Sequence, residues 1–222
     1  MTELRNRDQH EAEIAEAAAQ ILDEYFGKLQ DELGNEPPRA GVDEGFWAAL
    51  TLALTSALQP KLEATYLDML IDIAFETGVE LEDAAITAAE WARSYTIDLV
   101  KGITDNRRVL LQGAISDFYD KGLSLGDLYT RLAPEFGMPR AVSIGITETT
   151  RAASAAQLAF GVYLRARGQK VVEIWNTSND ERTCPQCSPL EGKRQGDGWT
   201  YPPPAHPRCR CWLTTVPESE LS

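Results

Sequence analysis

The chain has 222 residues and a formal net charge of −13, with hydrophobic and charged fractions of 43% and 25%. These fractions are typical of a folded protein and exclude a low-complexity or disordered chain. Residues 1–140 carry 12 Lys+Arg against 26 Asp+Glu, whereas residues 141–222 carry 9 against 8. DNA wrapping needs clustered Lys and Arg, so the acidic part favours docking on a protein partner with basic patches. The alternative is that these charged side chains only keep the exposed faces of the helices hydrated.

Neither a targeting segment nor a membrane span is expected. Residues 1–16 are charged throughout and lack the apolar core of a signal peptide. The most apolar run, residues 46–58, is too short to cross a bilayer. The sequence therefore predicts a protein that folds in the cytosol, where clustered cysteines are more often metal ligands than disulfides.

Two long helices are predicted first. Residues 8–33 place apolar side chains at helical spacing and end at Gly34. Asp43 is a plausible N-cap for a second helix that runs to about Gly78. Pro60 should kink or break this second helix, because proline removes a backbone donor.

The helical pattern continues to residue 168. A third helix is predicted from about residue 81, with an interruption at Gly102 and a continuation to residue 119. Ser124 should cap a short helix that closes before Pro134. Pro139 fits the first turn of a long helix that ends at Gly168.

The pattern changes after residue 168. Residues 170–175 alternate in polarity and predict a strand, and residues 209–216 predict a second strand that pairs with it. Turn-forming residues fill the segment between the strands. The predicted fold is therefore mainly α, with long N-terminal helices and a small C-terminal α+β zinc-knuckle module at about residues 170–216. Four aromatic residues are expected to form the core of this module: Trp175, Trp199, Tyr201 and Trp212.

The cysteines carry the chemistry. Cys184 and Cys187 form a Cys-x-x-Cys pair, Cys209 and Cys211 follow, and His206 lies three residues before Cys209. Thiolates and an imidazole this close together are the ligands that tetrahedral zinc prefers. A closed site would supply folding energy to a segment too small and polar to fold unaided, so one structural Zn²⁺ per chain is predicted.

Five candidates compete for four positions. One set is Cys184, Cys187, His206 and Cys209, which leaves Cys211 in the core. The other set takes all four cysteines and leaves His206 as a hydrogen-bonding group. The predicted strand would point Cys209 and Cys211 to the same face, but the sequence does not choose between the sets.

No catalytic residues are assigned. A zinc deaminase needs a His-x-Glu upstream of its cysteine pair, and the only upstream histidine, His10, lies in a distant helix. The sequence also lacks a phosphate-binding glycine loop and a Gly-x-Ser-x-Gly elbow. Asp180, Glu181 and Arg182 are better explained as a turn with a local ion pair than as catalytic groups. A non-enzymatic protein is therefore predicted.

A family resemblance rests on these residues. The segments WNTSNDERTCPQCSPLEGK (175–193) and PPPAHPRCRC (202–211) resemble the C-terminal signature of tailed-phage head morphogenesis proteins, the minor capsid proteins similar to the Mu F protein. The residues GLS at 122–124, and ITET at 146–149 opening an Ala-rich helix, fit the same pattern. The resemblance implies a head morphogenesis domain at 104–222, preceded by a helical, partner-binding region at 1–103.

The resemblance also implies a role. Proteins of this family are present in several copies per particle, associate with the portal and take part in procapsid assembly, DNA packaging or ejection. The implied partners are the portal protein and the major capsid or scaffolding protein, with a weak contact to packaged DNA and no membrane. The implied location is the virion, at the head interior or portal vertex, and the host cytoplasm during assembly.

Two other functions remain open from the sequence. One is a zinc-dependent nucleic-acid-processing or toxin-like enzyme, and the other is a bacterial zinc-binding adaptor. On a finer scale, Thr147 and Glu148 are expected to contact the zinc module. Arg182 and Arg210 are candidates to pair with Glu148 or Asp180 and so tie the helix to the module.

Overall fold

A computed structural model of the chain describes residues 3–178 and 183–220. Five helices precede a two-stranded antiparallel sheet, and short 3₁₀ turns lie at Ser188–Leu190 and Glu218–Glu220. The helices and strands are α1 (Arg7–Leu33), α2 (Glu44–Thr77), α3 (Ala84–Lys121), α4 (Leu125–Phe136), α5 (Met138–Ala166), β1 (Val171–Asn176) and β2 (Trp212–Pro217). The predicted fold class, mainly α with a small C-terminal α+β module, is confirmed.

The first two helices match the predicted bounds closely. Asp43 is the N-cap of α2 and accepts a hydrogen bond from the backbone N–H of Phe46 at 2.9 Å. The predicted break at Pro60 is wrong, since α2 is continuous through it. Leu58 and Leu62 on either side are completely buried. Their packing offsets the hydrogen bond that proline cannot make, a loss of about 3 kcal/mol in an unsupported helix.

Helix α3 is continuous where the sequence predicted an interruption. It runs without interruption through Gly102, and the Thr104 hydroxyl donates to the carbonyl of Val100 within the same helix. Glycine costs about 1 kcal/mol inside a helix, which burial of the neighbouring Ile103 outweighs. The division of the chain into 1–103 and 104–222 stays a prediction, and its boundary falls inside this helix.

Helix α4 begins with a complete capping box. Ser124 accepts from the backbone N–H of Asp127 at 3.1 Å, and Asp127 accepts from the backbone N–H of Ser124 at 2.9 Å. The helix ends at Phe136 and therefore includes Pro134, where the sequence predicted it to have closed already.

Substitution of Ser124 by alanine is expected to lower the free energy of unfolding by about 1 kcal/mol, because it removes the acceptor for an otherwise unpaired helix N–H. Denaturant titration followed by far-UV circular dichroism measures the change. Ser116→Ala is the matched control: that serine is exposed inside α3 and bonds only the side chain of Asp120. The control should be neutral, and an equal loss in both variants would contradict the capping argument.

A buried arginine fixes α4 on α3. Arg107 is 1% exposed and donates to the carbonyl oxygens of Ile103 and Glu135. Burial, with the nearby charge of Arg140, lowers the pKa of Arg107 to about 10, so the guanidinium stays charged at neutral pH. A cation at the carbonyl end of α4 is stabilised by the helix dipole.

Helix α5 occupies the centre of the molecule. It packs against α1, α2 and α4 and also against both strands. At Gly145 the backbone of α5 approaches α1 so closely that an added Cβ would overlap the carbonyl oxygen of Glu11 and lie 3.0 Å from the Cβ of Ala15. The absence of a side chain at this position therefore sets the distance between the two helices.

The C-terminal module is attached to the other half of α5. Arg165 donates to both carboxylate oxygens of Glu173 at 2.6 Å, and Glu173 is only 2% exposed. Gly161 leaves room for this pair, since a Cβ there would overlap the Glu173 carboxylate. On β2, Thr215 bonds both the side chain and the carbonyl of Gln157. Each strand is thus fixed to α5 by its own polar contact.

The two strands pair as predicted, with a register from Val171 opposite Pro217 to Asn176 opposite Trp212. The predicted aromatic core is correct for Trp175 and Trp199, which are 1% and 6% exposed. It is wrong for Tyr201, which is 82% exposed, and Trp212 is only partly buried. Within residues 3–178 and 183–220, no helix has the length and apolar character needed to cross a bilayer.

Candidate metal centre

Two loops bring the cysteines and the histidine together. Cys184 to Cys187 forms a tight turn, in which the backbone N–H of Cys187 and that of Ser188 both donate to the Cys184 carbonyl at 3.0 Å. Cys209 and Cys211 lie in the loop before β2, not on the strand that the sequence predicted. The turn places its two sulfurs on one side, facing the second loop.

All five predicted residues meet at one place. Nε2 of His206 lies 3.0 Å from the sulfur of Cys184 and 3.2 Å from that of Cys187. The sulfur of Cys187 lies 3.8 Å from that of Cys209, and the donor atoms of Cys187, Cys209 and Cys211 are all within 4.8 Å of one another. Cys187 is therefore common to both groups of donor atoms, and none of the four cysteines forms a disulfide.

The imidazole of His206 has the tautomer of a metal ligand. Its Nδ1 lies 2.8 Å from the carbonyl oxygen of Pro207, which can only accept a hydrogen bond. Nδ1 therefore carries a proton, and Nε2 is the nitrogen that faces the sulfurs of Cys184 and Cys187. This second hydrogen bond also fixes the plane of the ring, as carbonyl partners of metal-bound histidines do.

A small cavity lies between these donors. Its volume is about 20 Å³, and all five residues line it. That is room for a single ion or one water molecule and no larger group. Among the residues that the structure describes, none of those lining the cavity is a carboxylate. Asp180, Glu181 and Arg182, where the sequence predicted a turn with an ion pair, lie outside the described residues.

The thiols differ in acidity. A hydrogen bond from the Cys211 thiol lowers the pKa of Cys209 to about 5, although burial opposes it. Burial and the nearby Cys209 raise the pKa of Cys187 to about 12. The hydrogen bond to Cys209, and then burial, raise the pKa of Cys211. Because thiolates this close repel one another, the protein alone holds a mixture of thiols and thiolates, which a divalent cation would convert to thiolates.

Helix α5 supports the second loop. Thr147 accepts from the backbone N–H of Arg208 at 2.9 Å, and Thr150 donates to the carbonyl oxygen of Cys209 at 2.6 Å. Arg208 has a φ of 62°, an uncommon backbone conformation for a residue with a side chain. Its guanidinium bonds the carbonyl of Pro139 at 3.0 Å. The expected contact between Thr147 and the metal module is thus present.

The prediction that Glu148 contacts the metal module is wrong. Glu148 accepts a 2.5 Å hydrogen bond from the hydroxyl of Tyr95 and pairs with Arg151 at 3.4 Å. Burial raises the pKa of Glu148, against the opposing effect of Tyr95 and Arg151. Arg210 pairs with Glu11 of α1 in its place, because the loop directs its guanidinium toward the start of that helix.

Three residues of the site's surroundings were not predicted. Arg7 and Glu11 from the start of α1, and Thr150 from α5, contact the loop at Cys209 and Arg210. For Thr150, the only signal in the sequence was the group of threonines at 147, 149 and 150 in an otherwise Ala-rich helix. For Arg7 and Glu11 the sequence held no signal, since charged residues are ordinary in a first helical turn.

The fold and site define a helical protein with a cluster of four cysteines and one histidine that can hold a metal ion. Residues 111–214, slightly under half of the chain, match the family model described as Phage Mu protein F like protein. The segment is therefore similar to Mu F-like phage head proteins, and the resemblance predicted from the sequence is confirmed over these residues. No curated protein and no solved structure gives a significant match to the chain.

Proposed function

We propose that this protein is a structural minor head protein of a tailed phage, which associates with the portal and takes part in procapsid assembly. The observation that carries the proposal is the family match over residues 111–214. This segment includes the end of α3, all of α4, α5 and β1, the metal cluster and the first half of β2. The virion is accordingly its proposed location.

The proposed metal is one structural zinc ion per chain. Zinc–sulfur bonds of about 2.3 Å in a tetrahedral site place two sulfurs about 3.8 Å apart, which is the separation of Cys187 and Cys209. The proposed ligands are Cys184, Cys187, His206 and Cys209. The position of Nε2 of His206, 3.0 Å and 3.2 Å from the sulfurs of Cys184 and Cys187, supports its inclusion, and Cys211 is proposed as a thiol beside the ligand set.

The donor set favours a structural role over a catalytic one. Catalytic zinc sites keep an open position for water and place an acid or base beside it. Here three thiolates and an imidazole would fill the tetrahedron, and no carboxylate lines the described part of the cavity. The family match also supports a structural role. No specific observation favours the enzyme alternative.

The helices are proposed to supply the partner surface. The excess of acidic residues lies in residues 1–140, which form α1 to α4 and the start of α5. An acidic surface favours a basic partner through long-range attraction, which accelerates encounter more than it tightens the complex. The portal protein is the proposed partner, with the major capsid or scaffolding protein as a second.

Binding to the portal protein of the same phage is expected, and it should weaken as salt is raised from about 0.1 M to about 1 M. The reason is that the Debye length falls from about 10 Å to about 3 Å over this range. Analytical ultracentrifugation or interferometry on the purified proteins measures the change in Kd. An unrelated acidic protein of similar charge serves as the control for nonspecific attraction.

Two outcomes would contradict this proposal in different ways. A complex whose Kd does not change with salt would place the contact on an apolar surface and remove the electrostatic argument. Absence of the chain from purified particles by mass spectrometry, together with no binding to the portal, would remove the head-protein assignment. Portal and terminase genes beside the gene for this chain would distinguish a phage protein from a bacterial zinc-binding adaptor.

A further inference from the structure

The start of α1 is bound to the metal loop near the other end of the chain. Arg7 donates through Nη1 to the carbonyl oxygen of Arg210 at 3.0 Å, although the two residues are 203 positions apart. Its Nη2 donates to the hydroxyl of Thr150, and its Nε donates to Glu11 at 3.0 Å. The side chain of Arg7 is only 10% exposed, so the guanidinium is largely withdrawn from water, and besides these three hydrogen bonds it forms an ion pair with Glu3 at 3.5 Å.

Thr150 links Arg7 directly to a proposed metal ligand. Its hydroxyl accepts from Arg7 and donates at 2.6 Å to the carbonyl oxygen of Cys209. A hydroxyl has one proton and two lone pairs, so both contacts are satisfied at once. Thr150 is 1% exposed, and water therefore cannot replace either contact without a rearrangement of the helices.

Glu11 completes the arrangement from the opposite side. Its two carboxylate oxygens accept from Arg7 and from the guanidinium of Arg210, and the residue is 6% exposed. With Thr147 bound to the backbone N–H of Arg208, three consecutive backbone positions of the loop are held: 208, 209 and 210. The loop has no strand partner in this stretch, so these bonds replace the ladder that a strand would provide.

We infer that Thr150 and Arg7 are positioning residues for the metal centre, which hold the Cys209 sulfur in place through the backbone of residues 208–210. This inference rests on the proposed metal site. A loop residue that must be ordered when metal binds loses conformational entropy, and prior fixation by α1 and α5 removes that cost from the binding step. Because coupling is reciprocal, the bound metal in turn stabilises the docking of the first turns of α1 on α5.

The decisive variants remove the hydroxyl or alter the guanidinium. Thr150→Val keeps the shape of the side chain and deletes both hydrogen bonds, whereas Thr150→Ser keeps the hydroxyl. Arg7→Lys keeps the charge but replaces the planar fork of three nitrogens by a single ammonium nitrogen, which cannot reach the same partners in the same geometry. Thr104→Val is the matched control, because Thr104 is buried in α3 and its hydroxyl bonds only carbonyls of its own helix.

Metal affinity and metal spectrum are the readouts. Full-length protein is reduced, stripped and titrated with Zn²⁺ against a chelator, and with Co²⁺ for the sulfur-to-metal charge-transfer and d–d bands. Thr150→Val and Arg7→Lys should each weaken Zn²⁺ binding by about 10-fold or more, the typical effect of a residue that orients a ligand. Both should alter the Co²⁺ bands, while Thr150→Ser and Thr104→Val should match the unsubstituted protein.

Hydrogen exchange tests the reciprocal effect in the unsubstituted protein. Removal of the metal should accelerate exchange of backbone amides at the start of α1, at about residues 10–14, more than in the middle of α3. Unchanged affinity and Co²⁺ bands in Thr150→Val and Arg7→Lys would overturn the inference while leaving the metal site intact. Absence of any Zn²⁺ or Co²⁺ binding by the unsubstituted protein would instead remove the proposed site, and the inference with it.

Discussion

Replacement of Cys187 by serine is expected to abolish metal binding and to unfold the C-terminal module. Cys187 is the residue common to both groups of donor atoms and is 1% exposed. Serine is a poor ligand for zinc, and three remaining ligands would not close the site. Structural zinc contributes about 10–16 kcal/mol of apparent binding energy in small zinc-finger peptides, so its loss exceeds what a small polar module can tolerate.

Metal content and tryptophan emission measure this effect. Elemental analysis of reduced protein should give about one zinc per chain before the substitution and close to none after it. Trp175 is 1% exposed and its ring centroid lies 6.0 Å from that of Trp199, so their emission should shift to the red as the module opens. Removal of the metal with a chelator should produce the same shift in the unsubstituted protein.

Cys211→Ser is the matched control, and it also distinguishes the two ligand sets. With Cys184, Cys187, His206 and Cys209 as ligands, Cys211→Ser retains zinc and His206→Ala loses it. The reverse result would establish the four-cysteine set and make His206 a hydrogen-bonding neighbour. Full zinc content in Cys187→Ser, or none in reduced unsubstituted protein, would contradict the site altogether.

Substitution of Gly145 by alanine is expected to destabilise the whole protein by about 1–3 kcal/mol, the usual cost of overpacking a rigid core. The added Cβ meets the backbone of α1 at Glu11, and backbone cannot move aside as a flexible side chain can. Relief requires α1 to shift away from α5, which also displaces Glu11 from Arg210. The free energy of unfolding from urea titration measures the loss.

Gly102→Ala is the control for this substitution. Gly102 lies inside α3, and a Cβ added there would meet no heavy atom within 4 Å apart from its chain neighbours and the adjacent helix backbone. The same chemical change should therefore raise the free energy of unfolding by as much as about 1 kcal/mol, since alanine is the better helix former. Opposite signs for the two variants are expected. A neutral or stabilising Gly145→Ala would mean that the two helices are not in close contact at this position.

Local rules predicted where the helices begin but not where they continue. The caps at Asp43 and Ser124 form through hydrogen bonds within four residues, so the sequence contains everything needed to predict them. Pro60 and Gly102 were predicted to interrupt helices, and both predictions were wrong. In each case buried side chains on the same helix are packed by other helices, and this contribution is absent from any local pattern.

The sequence predicted which residues form the metal cluster, but not which residues hold its loops in place. Cysteine spacing and the nearby His206 sufficed to predict the five donors, because they come in two groups that are each local in sequence: Cys184 with Cys187, and His206 with Cys209 and Cys211. The strand at Cys209 was wrong, since the flanking Pro207 has no N–H and Arg208 adopts a positive φ. The contact of Arg7 with the loop spans almost the whole chain, and no periodicity or spacing encodes such a distance.

The edges of the small sheet have few free backbone groups with which another strand could pair. Both backbone groups of Trp175 in β1 point away from β2, and its N–H and C=O bond Lys193 and Gly192. On the outer side of β2, the N–H of Thr215 is taken by Gln157, and Pro217 has no N–H to offer. Covered edges of this kind prevent edge-to-edge polymerisation. At high local concentrations of the protein, the module should therefore stay discrete and not seed fibres.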